Sequence, residues 1–195
     1  MRTARDDMPD GRPIWARPPA GGWTADDLDT LPDLPPHTEL IDGVLVFRNP
    51  QVVFHMITVR LMEHGLLGSA PEELLVLREM TVNPATRDRP EPDVMVARRS
   101  GVTSARQTSL EPEDILLAIE VVSGESDERD REVEARTYAR AGIPHFWRVE
   151  ENGGLPVVHV HELDPATHAH VVTGIHHGRL EVDVPFPISI ELKGL

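Results

Sequence analysis

Three acidic residues have the type and position needed to hold a metal ion. Asp93 follows a proline at the start of an apolar segment, Glu120 is the one acid in the apolar run ILLAIEVVS, and Glu39 begins ELIDG. An unpaired carboxylate inside an apolar run is costly or neutralises by a pKa shift. If the segments of Asp93 and Glu120 are neighbouring strands, both carboxylates can lie at one mouth of the sheet. They could then share a cation, as the one or two carboxylates that usually bind magnesium do.

Each acid also has an ordinary structural interpretation. Aspartate after proline is common in turns. Glu39 can be a solvated strand residue, and Glu120 can lie at a strand end where it reaches water. The spacing of the residues leaves both interpretations open.

Histidines form a second candidate group in HVHELDPATHAH. A hairpin around Asp164-Pro165 would pair His161 with His168 and His159 with His170, with all four rings on one face. Such a group could bind zinc or nickel. More often such a stripe is the wet face of an antiparallel ribbon.

Two further histidines, His55 and His64, occur in a helical pattern. They are interpreted as ordinary helix residues and not as ligands.

The alternation of apolar and polar residues predicts the elements that position these side chains. Thr24 and Asp27 form a capping-box pattern that begins a short helix ending before Pro32. Asp42-Gly43 predicts a hairpin or a bend within residues 39–47. The other predicted elements are helices over 51–67 and 127–141, the second capped by Ser126, strands over 74–82, 93–97, 115–122 and 145–150, and a C-terminal antiparallel meander.

These elements predict an α/β fold, a mixed sheet with helices on its faces. The chain of 195 residues suits a single domain, which we place at residues 23–195. Residues 1–22 are rich in Pro, Gly and Arg without periodicity and are predicted to be a flexible tail.

Composition restricts the possible functions. The chain has no cysteine, which excludes disulfides and cysteine-ligated zinc. It has neither an apolar run of the ~20 residues that a membrane span needs nor the apolar core of a secretory signal, so we expect a cytoplasmic protein without membrane contact.

The net charge of −14 counts against a protein that coats nucleic acid. It does not exclude an enzyme that recruits a divalent cation, because a bound ion reverses the local field.

Several motifs in register resemble the Uma-two (Uma2) family of restriction endonucleases, within the PD-(D/E)xK nuclease superfamily. The resemblance extends from about Trp23 to Leu192. The motifs are ELIDG at 39–43, RPEPDVMV at 89–96, IEVVS at 119–123, a charged helix containing RDRE, YARAGIPHFWRVE at 138–150 and LDPAT at 163–167.

This resemblance implies a restriction-endonuclease-like core and metal-dependent hydrolysis of DNA phosphodiester bonds. Asp93 and Glu120 match the residues that bind the catalytic metal, Mg²⁺ with Mn²⁺ as the alternative, and Val121 is placed with them at the metal. Glu39 matches the further acid of the site. A homodimer is expected because cutting both strands of a duplex favours two related sites.

The sequence departs from the family where a lysine is expected. Val122 stands two residues after Glu120, where the superfamily commonly has lysine. The Uma-two branch places its lysine on the following helix, four residues before the residue matching Tyr138, and here that position is Glu134. Glu134 could bind metal or act as a base, while Arg131, near the same helical face, could supply positive charge. The alternative is a catalytically impaired relative with a binding or regulatory role.

Overall fold

The computed structural model describes residues 15, 17–48, 50–83, 85–122 and 128–193, with the backbone alone for 128–131. The helices are α1 (Ala25–Leu28), α2 (Val53–Leu67) and α3 (Glu128–Arg140). The strands are β1 (Thr38–Ile41), β2 (Val44–Phe47), β3 (Leu74–Arg78), β4 (Thr81–Val82), β5 (Val94–Arg98), β6 (Ser109–Leu110), β7 (Ile115–Val122), β8 (His145–Asn152), β9 (Leu155–Asp164), β10 (Ala169–His177), β11 (Arg179–Val182) and β12 (Ile188–Glu191).

A six-stranded mixed sheet forms the centre of the molecule, in the order β10-β9-β8-β7-β5-β3. The β7–β8 pair is parallel and the other neighbours are antiparallel. All residues of β7 are buried except the half-buried Leu116, as expected for an apolar strand covered on both faces. The predicted mixed sheet is confirmed, and the strands carrying Asp93 and Glu120 are neighbours.

Side chains that alternate along the strands form a core on each face of the sheet. On one face, α2 and the β11–β12 hairpin pack against residues such as Leu117, Ile119 and Trp147. On the other face, Tyr138 of α3 packs with Phe146 and neighbouring residues. Glu120 therefore points toward the α3 face, because it alternates with Ile119.

The predicted hairpin over residues 39–47 is confirmed as β1 and β2. Asp42 and Gly43 at its turn have φ of 50° and 79°, the left-handed region that a type I′ turn requires at both central residues. A Cβ on Gly43 would overlap the Arg87 guanidinium, which donates to the Asp42 carbonyl oxygen at 2.7 Å. This turn fixes the register that brings Glu39 opposite Val46.

The capping box is also present. The backbone N–H of Thr24 donates to Asp27 Oδ2 at 2.8 Å, and α1 ends before Pro32 as predicted. The helices predicted over 51–67 and 127–141 are α2 and α3, while the predicted cap Ser126 lies outside the described residues. No helix in the described ranges is long and apolar enough to cross a membrane.

Two predictions about strands need correction. The strand expected over 74–82 breaks at Glu79, where φ is +49°, so β4 leaves the sheet and pairs in parallel with β6. The C-terminal meander is divided as well. β9 and β10 extend the central sheet, whereas β11 and β12 form a separate hairpin because their apolar residues, such as Leu180 and Ile190, cover α2.

Part of the predicted tail contacts the folded chain. The ring of Trp15 lies 5.0 Å from that of Phe47, and Arg87 donates to the carbonyl oxygen of Gly21. The boundary of the single domain at residue 23 stays a prediction.

Candidate active site

Asp93 and Glu120 lie beside each other at one mouth of the central sheet. Val94 pairs with Ile119 in the β5–β7 ladder, so Asp93 and Glu120 are the next pair outward. Both residues are buried, with 2% and 6% exposure. The backbone N–H of Val121 donates to Asp93 Oδ2 at 2.7 Å, which ties the aspartate directly to β7.

Arg48, immediately after β2, brings a positive charge among the three predicted acids. Its Nε and Nη2 donate to Glu39 Oε1 at 2.8 and 2.6 Å. Its Nη1 donates to Asp93 Oδ1 at 2.5 Å. Its Nη2 lies 4.0 Å from Glu120 Oε2 and also donates to the carbonyl oxygen of Glu91. One guanidinium therefore faces all three carboxylates.

Two residues on flanking helices hold the other oxygens of the acid pair. His55 on α2 places Nε2 3.1 Å from Asp93 Oδ2. Tyr138 on α3 donates its hydroxyl to Glu120 Oε1 at 2.5 Å. The two acids are thus anchored from opposite faces of the sheet.

The environment shifts the pKa values of the acids in different directions. Burial raises the pKa of Glu120 well above its ordinary value, and the charges of Glu134 and Asp93 add to this effect. Burial also raises the pKa of Glu39, although the Arg48 charge opposes it. Burial likewise disfavours the charged form of Asp93, but the contact with His55 and the charge of Arg48 outweigh it and lower the Asp93 pKa.

The acids have the opposite effect on Arg48. Burial disfavours the charged guanidinium, but the charges of Glu120, Glu39 and Asp93 outweigh burial and raise the Arg48 pKa. Arg48 is therefore a permanent cation at this site.

Glu134, at the position where the family resemblance implied lysine, is half-buried on α3, one turn before Tyr138. Burial is the largest cause of the raised pKa of Glu120 and of Tyr138, and the negative charge of Glu134 adds to both shifts. Arg131 lies in α3 as predicted, and its side chain is outside the described residues. Arg48 thus provides positive charge at the acids, whereas Glu134 adds negative charge.

The donor chemistry of the acids fits a hard divalent cation, which prefers carboxylate oxygens. The Arg48 guanidinium faces those same oxygens. Within the described ranges, no three His, Asp or Glu side chains already form a metal-binding group. Val121, which the resemblance placed at the metal, contacts Asp93 through its backbone N–H.

The pairing of the four histidines expected across this hairpin is not formed. The turn spans residues 165–168, with Asp164 accepting from Ala166 N–H at 2.9 Å, so it is longer than the predicted turn. His161 consequently pairs with Val172 and His159 with Ile175.

His161 and His170 do not lie on a solvent-exposed face of the ribbon either. Both rings pack against Phe146, with centroids at 5.3 and 5.6 Å. The ring nitrogens of His170 also contact the carbonyl oxygens of Ala135 and Ile143. Burial lowers the pKa of both rings, to about 4 for His161. These two histidines belong to the core beneath α3.

Sequence reasoning missed three residues of the acid site, although two had a usable pattern. The hairpin turn at Asp42-Gly43 places Glu39 opposite Val46, so Arg48 follows on the same face of β2. His55 precedes the buried Met62 by seven residues, which places it on the buried face of α2. For Tyr138, nothing in the local sequence indicated a partner on β7.

Comparison with known proteins agrees with this architecture. The model of the Uma2 family, described as "Putative restriction endonuclease", matches residues 25–192. A crystal structure of a "putative nuclease belonging to DUF820" from Anabaena variabilis is similar in fold, with a TM-score of 0.60 and 15% sequence identity. The similarity covers 83% of this chain and 89% of the other. No curated protein matches the sequence.

Proposed function

Because the chain belongs to the Uma2 family, we propose that it hydrolyses DNA phosphodiester bonds with a divalent metal ion held by Asp93 and Glu120. The observation that carries this proposal is the buried pair of carboxylates on neighbouring strands. One oxygen of each faces the same cation, the Arg48 guanidinium. Paired acids at one mouth of a sheet are suited to binding Mg²⁺ or Mn²⁺.

The protein groups have distinct roles in the proposed reaction. A bound metal would polarise a phosphate oxygen and lower the pKa of a water molecule. Val121 and His55 orient Asp93, and Tyr138 orients Glu120. Glu39 holds Arg48, the nearest described positive charge to the acid pair, which favours an anionic phosphate at this mouth.

DNA cleavage by single-residue variants tests the proposal. We expect the protein to cut plasmid or single-stranded DNA with Mg²⁺ or Mn²⁺, and Asp93→Asn and Glu120→Gln to reduce the rate by at least about 100-fold, the scale of losing a group that acts on transition-state charge. These variants keep side-chain shape, so Arg48 is less disturbed than by truncation. The exposed Glu181→Gln is the matched control. DNA left intact with either metal would contradict the proposal.

The position of Glu134 favours a second candidate function, a nuclease-fold protein that binds without cutting. Its carboxylate adds negative charge beside Glu120, whereas a lysine would stabilise developing negative charge. In that case Glu134→Lys should gain cleavage that the natural chain lacks. If Glu134→Lys also leaves DNA intact, the chain acts on another substrate or carries out no hydrolysis.

The proposal includes a homodimer, since two related sites suit the two strands of a duplex. It also includes a cytoplasmic location, where DNA and divalent metal ions are both available.

A further inference from the structure

The two central carboxylates each have one oxygen anchored by the protein. Asp93 Oδ2 accepts from Val121 N–H at 2.7 Å and lies 3.1 Å from His55 Nε2. Glu120 Oε1 accepts from the Tyr138 hydroxyl at 2.5 Å. These anchors come from a strand and two helices, so they fix which way each carboxylate faces.

The second oxygen of each carboxylate faces the same guanidinium. Asp93 Oδ1 accepts from Arg48 Nη1 at 2.5 Å, and Glu120 Oε2 lies 4.0 Å from Arg48 Nη2. A cation shared by the two acids would use these oxygens, because Asp93 Oδ2 already has two contacts and Glu120 Oε1 already accepts from Tyr138. Arg48 therefore stands where a shared cation would be bound.

The charges at this mouth favour exchange of one cation for another. Among the described side chains, Arg48 is the permanent positive charge that Glu39, Asp93 and Glu120 share, so the guanidinium neutralises only part of their charge when all three are ionised. A divalent ion would neutralise more of it. The Arg48 side chain is 20% exposed, so the guanidinium borders solvent and has a way out. Glu39 holds the same guanidinium through Nε and Nη2 and can keep it near the site.

We propose that Arg48 is the resting cation of this site, and that a divalent metal ion binds by displacing its guanidinium from Asp93 Oδ1 and Glu120 Oε2. This inference rests on the proposed function, since it concerns the same metal. It assigns Arg48 the role of a built-in competitor, which keeps the acids paired in the metal-free protein and weakens metal binding.

Calorimetric titration with Mn²⁺ tests the competition without any measurement of activity. We expect Arg48→Met and Arg48→Gln to bind Mn²⁺ at least about tenfold more tightly than the natural chain, within the usual range of coupling between two binding events. Arg48→Lys should stay close to the natural affinity because it keeps the charge. The matched control is Arg179→Met, which removes an arginine that pairs with Glu181 and Glu191 on the β11–β12 hairpin.

A measurement on the natural chain remains informative even if the neutral variants fold poorly. The NMR signal of the Arg48 Nε–H, assigned by its loss in Arg48→Lys, should shift with Mg²⁺ along the same saturation curve as the heat of binding. An unmoved signal while Mg²⁺ binds would overturn the proposal.

The outcomes separate this inference from the proposed function. Equal or weaker Mn²⁺ binding by Arg48→Met and Arg48→Gln, alongside metal-dependent DNA cleavage, would overturn the competition and leave the nuclease intact. Absence of Mn²⁺ binding in every variant would overturn both.

Discussion

Glu120 combines burial, crowding by like charge and one strong hydrogen bond. Burial and the charges of Glu134 and Asp93 raise its pKa, whereas the Tyr138 hydroxyl donates to Oε1. A buried acceptor that loses its donor keeps the full desolvation cost. The Tyr138 hydroxyl should therefore matter more for stability than an average hydrogen bond.

Tyr138→Phe should lower the free energy of unfolding by about 1–3 kcal/mol, the usual cost of leaving a buried polar group unsatisfied. Urea unfolding measures this effect. The control is the same change made in a Glu120→Leu background, where both polar partners are gone and the cost should be close to zero. An equal cost in the two backgrounds would mean that the hydroxyl does not act through Glu120.

At the residue scale, the sequence allowed the acids to be predicted but not the arrangement around them. Glu120 stands out because an acid in an apolar run is unusual, and Asp93 because it begins a strand. Arg48 and Tyr138 reach the acids from β2 and α3, across 45 residues to Asp93 and 18 to Glu120. Such contacts depend on tertiary packing, which local patterns do not determine.

At the scale of elements, the packing of α2 against β12 depends on a glycine inside the helix. A Cβ on Gly65 would overlap the side chain of Ile190, so the helix and the strand approach more closely there than alanine allows. Glycine inside a helix costs roughly 0.5–1 kcal/mol relative to alanine, which this close approach must offset.

Gly65→Ala should destabilise the protein by about 1–3 kcal/mol, because overpacking outweighs the gain in helix propensity. Thermal or urea unfolding measures the change. Gly68→Ala is the matched control, since a Cβ at the end of the same helix meets only ordinary contacts. Gly65→Ala combined with Ile190→Ala should cost less than the sum of the two single changes. Additive costs would indicate that the helix and strand can separate freely.

The elements were largely predictable because each has a local cause. The capping box at Thr24 begins α1, and Asp42-Gly43 selects the hairpin turn. The errors arose where an apolar pattern continues through a change of direction. Glu79 breaks the strand over 74–82 by adopting positive φ, and the four-residue turn after Asp164 shifts the register of β10. Apolar alternation carries no information about either feature.

At the scale of the whole molecule, the acidic net charge and the histidines beneath α3 have opposite effects on stability as pH falls. The net charge of −14 produces self-repulsion that protonation of acids relieves. His161 lowers the stability of the fold as pH falls, because burial lowers its pKa to about 4 from an ordinary value of 6.5. His170, whose pKa is also lowered by burial, has the same destabilising effect as pH falls.

The sign for His161 follows from linkage. The unfolded chain takes up the proton near pH 6.5, whereas the folded ring stays neutral until about pH 4, so its contribution to stability is present above 6.5 and lost as pH falls between these values. Between pH 7 and pH 5, the natural chain should lose roughly 1–2 kcal/mol more stability than His161→Gln. Urea unfolding at several pH values measures the difference. The exposed His177→Gln on β10 should follow the natural chain, and a parallel pH dependence for His161→Gln would show that His161 protonates equally in both states.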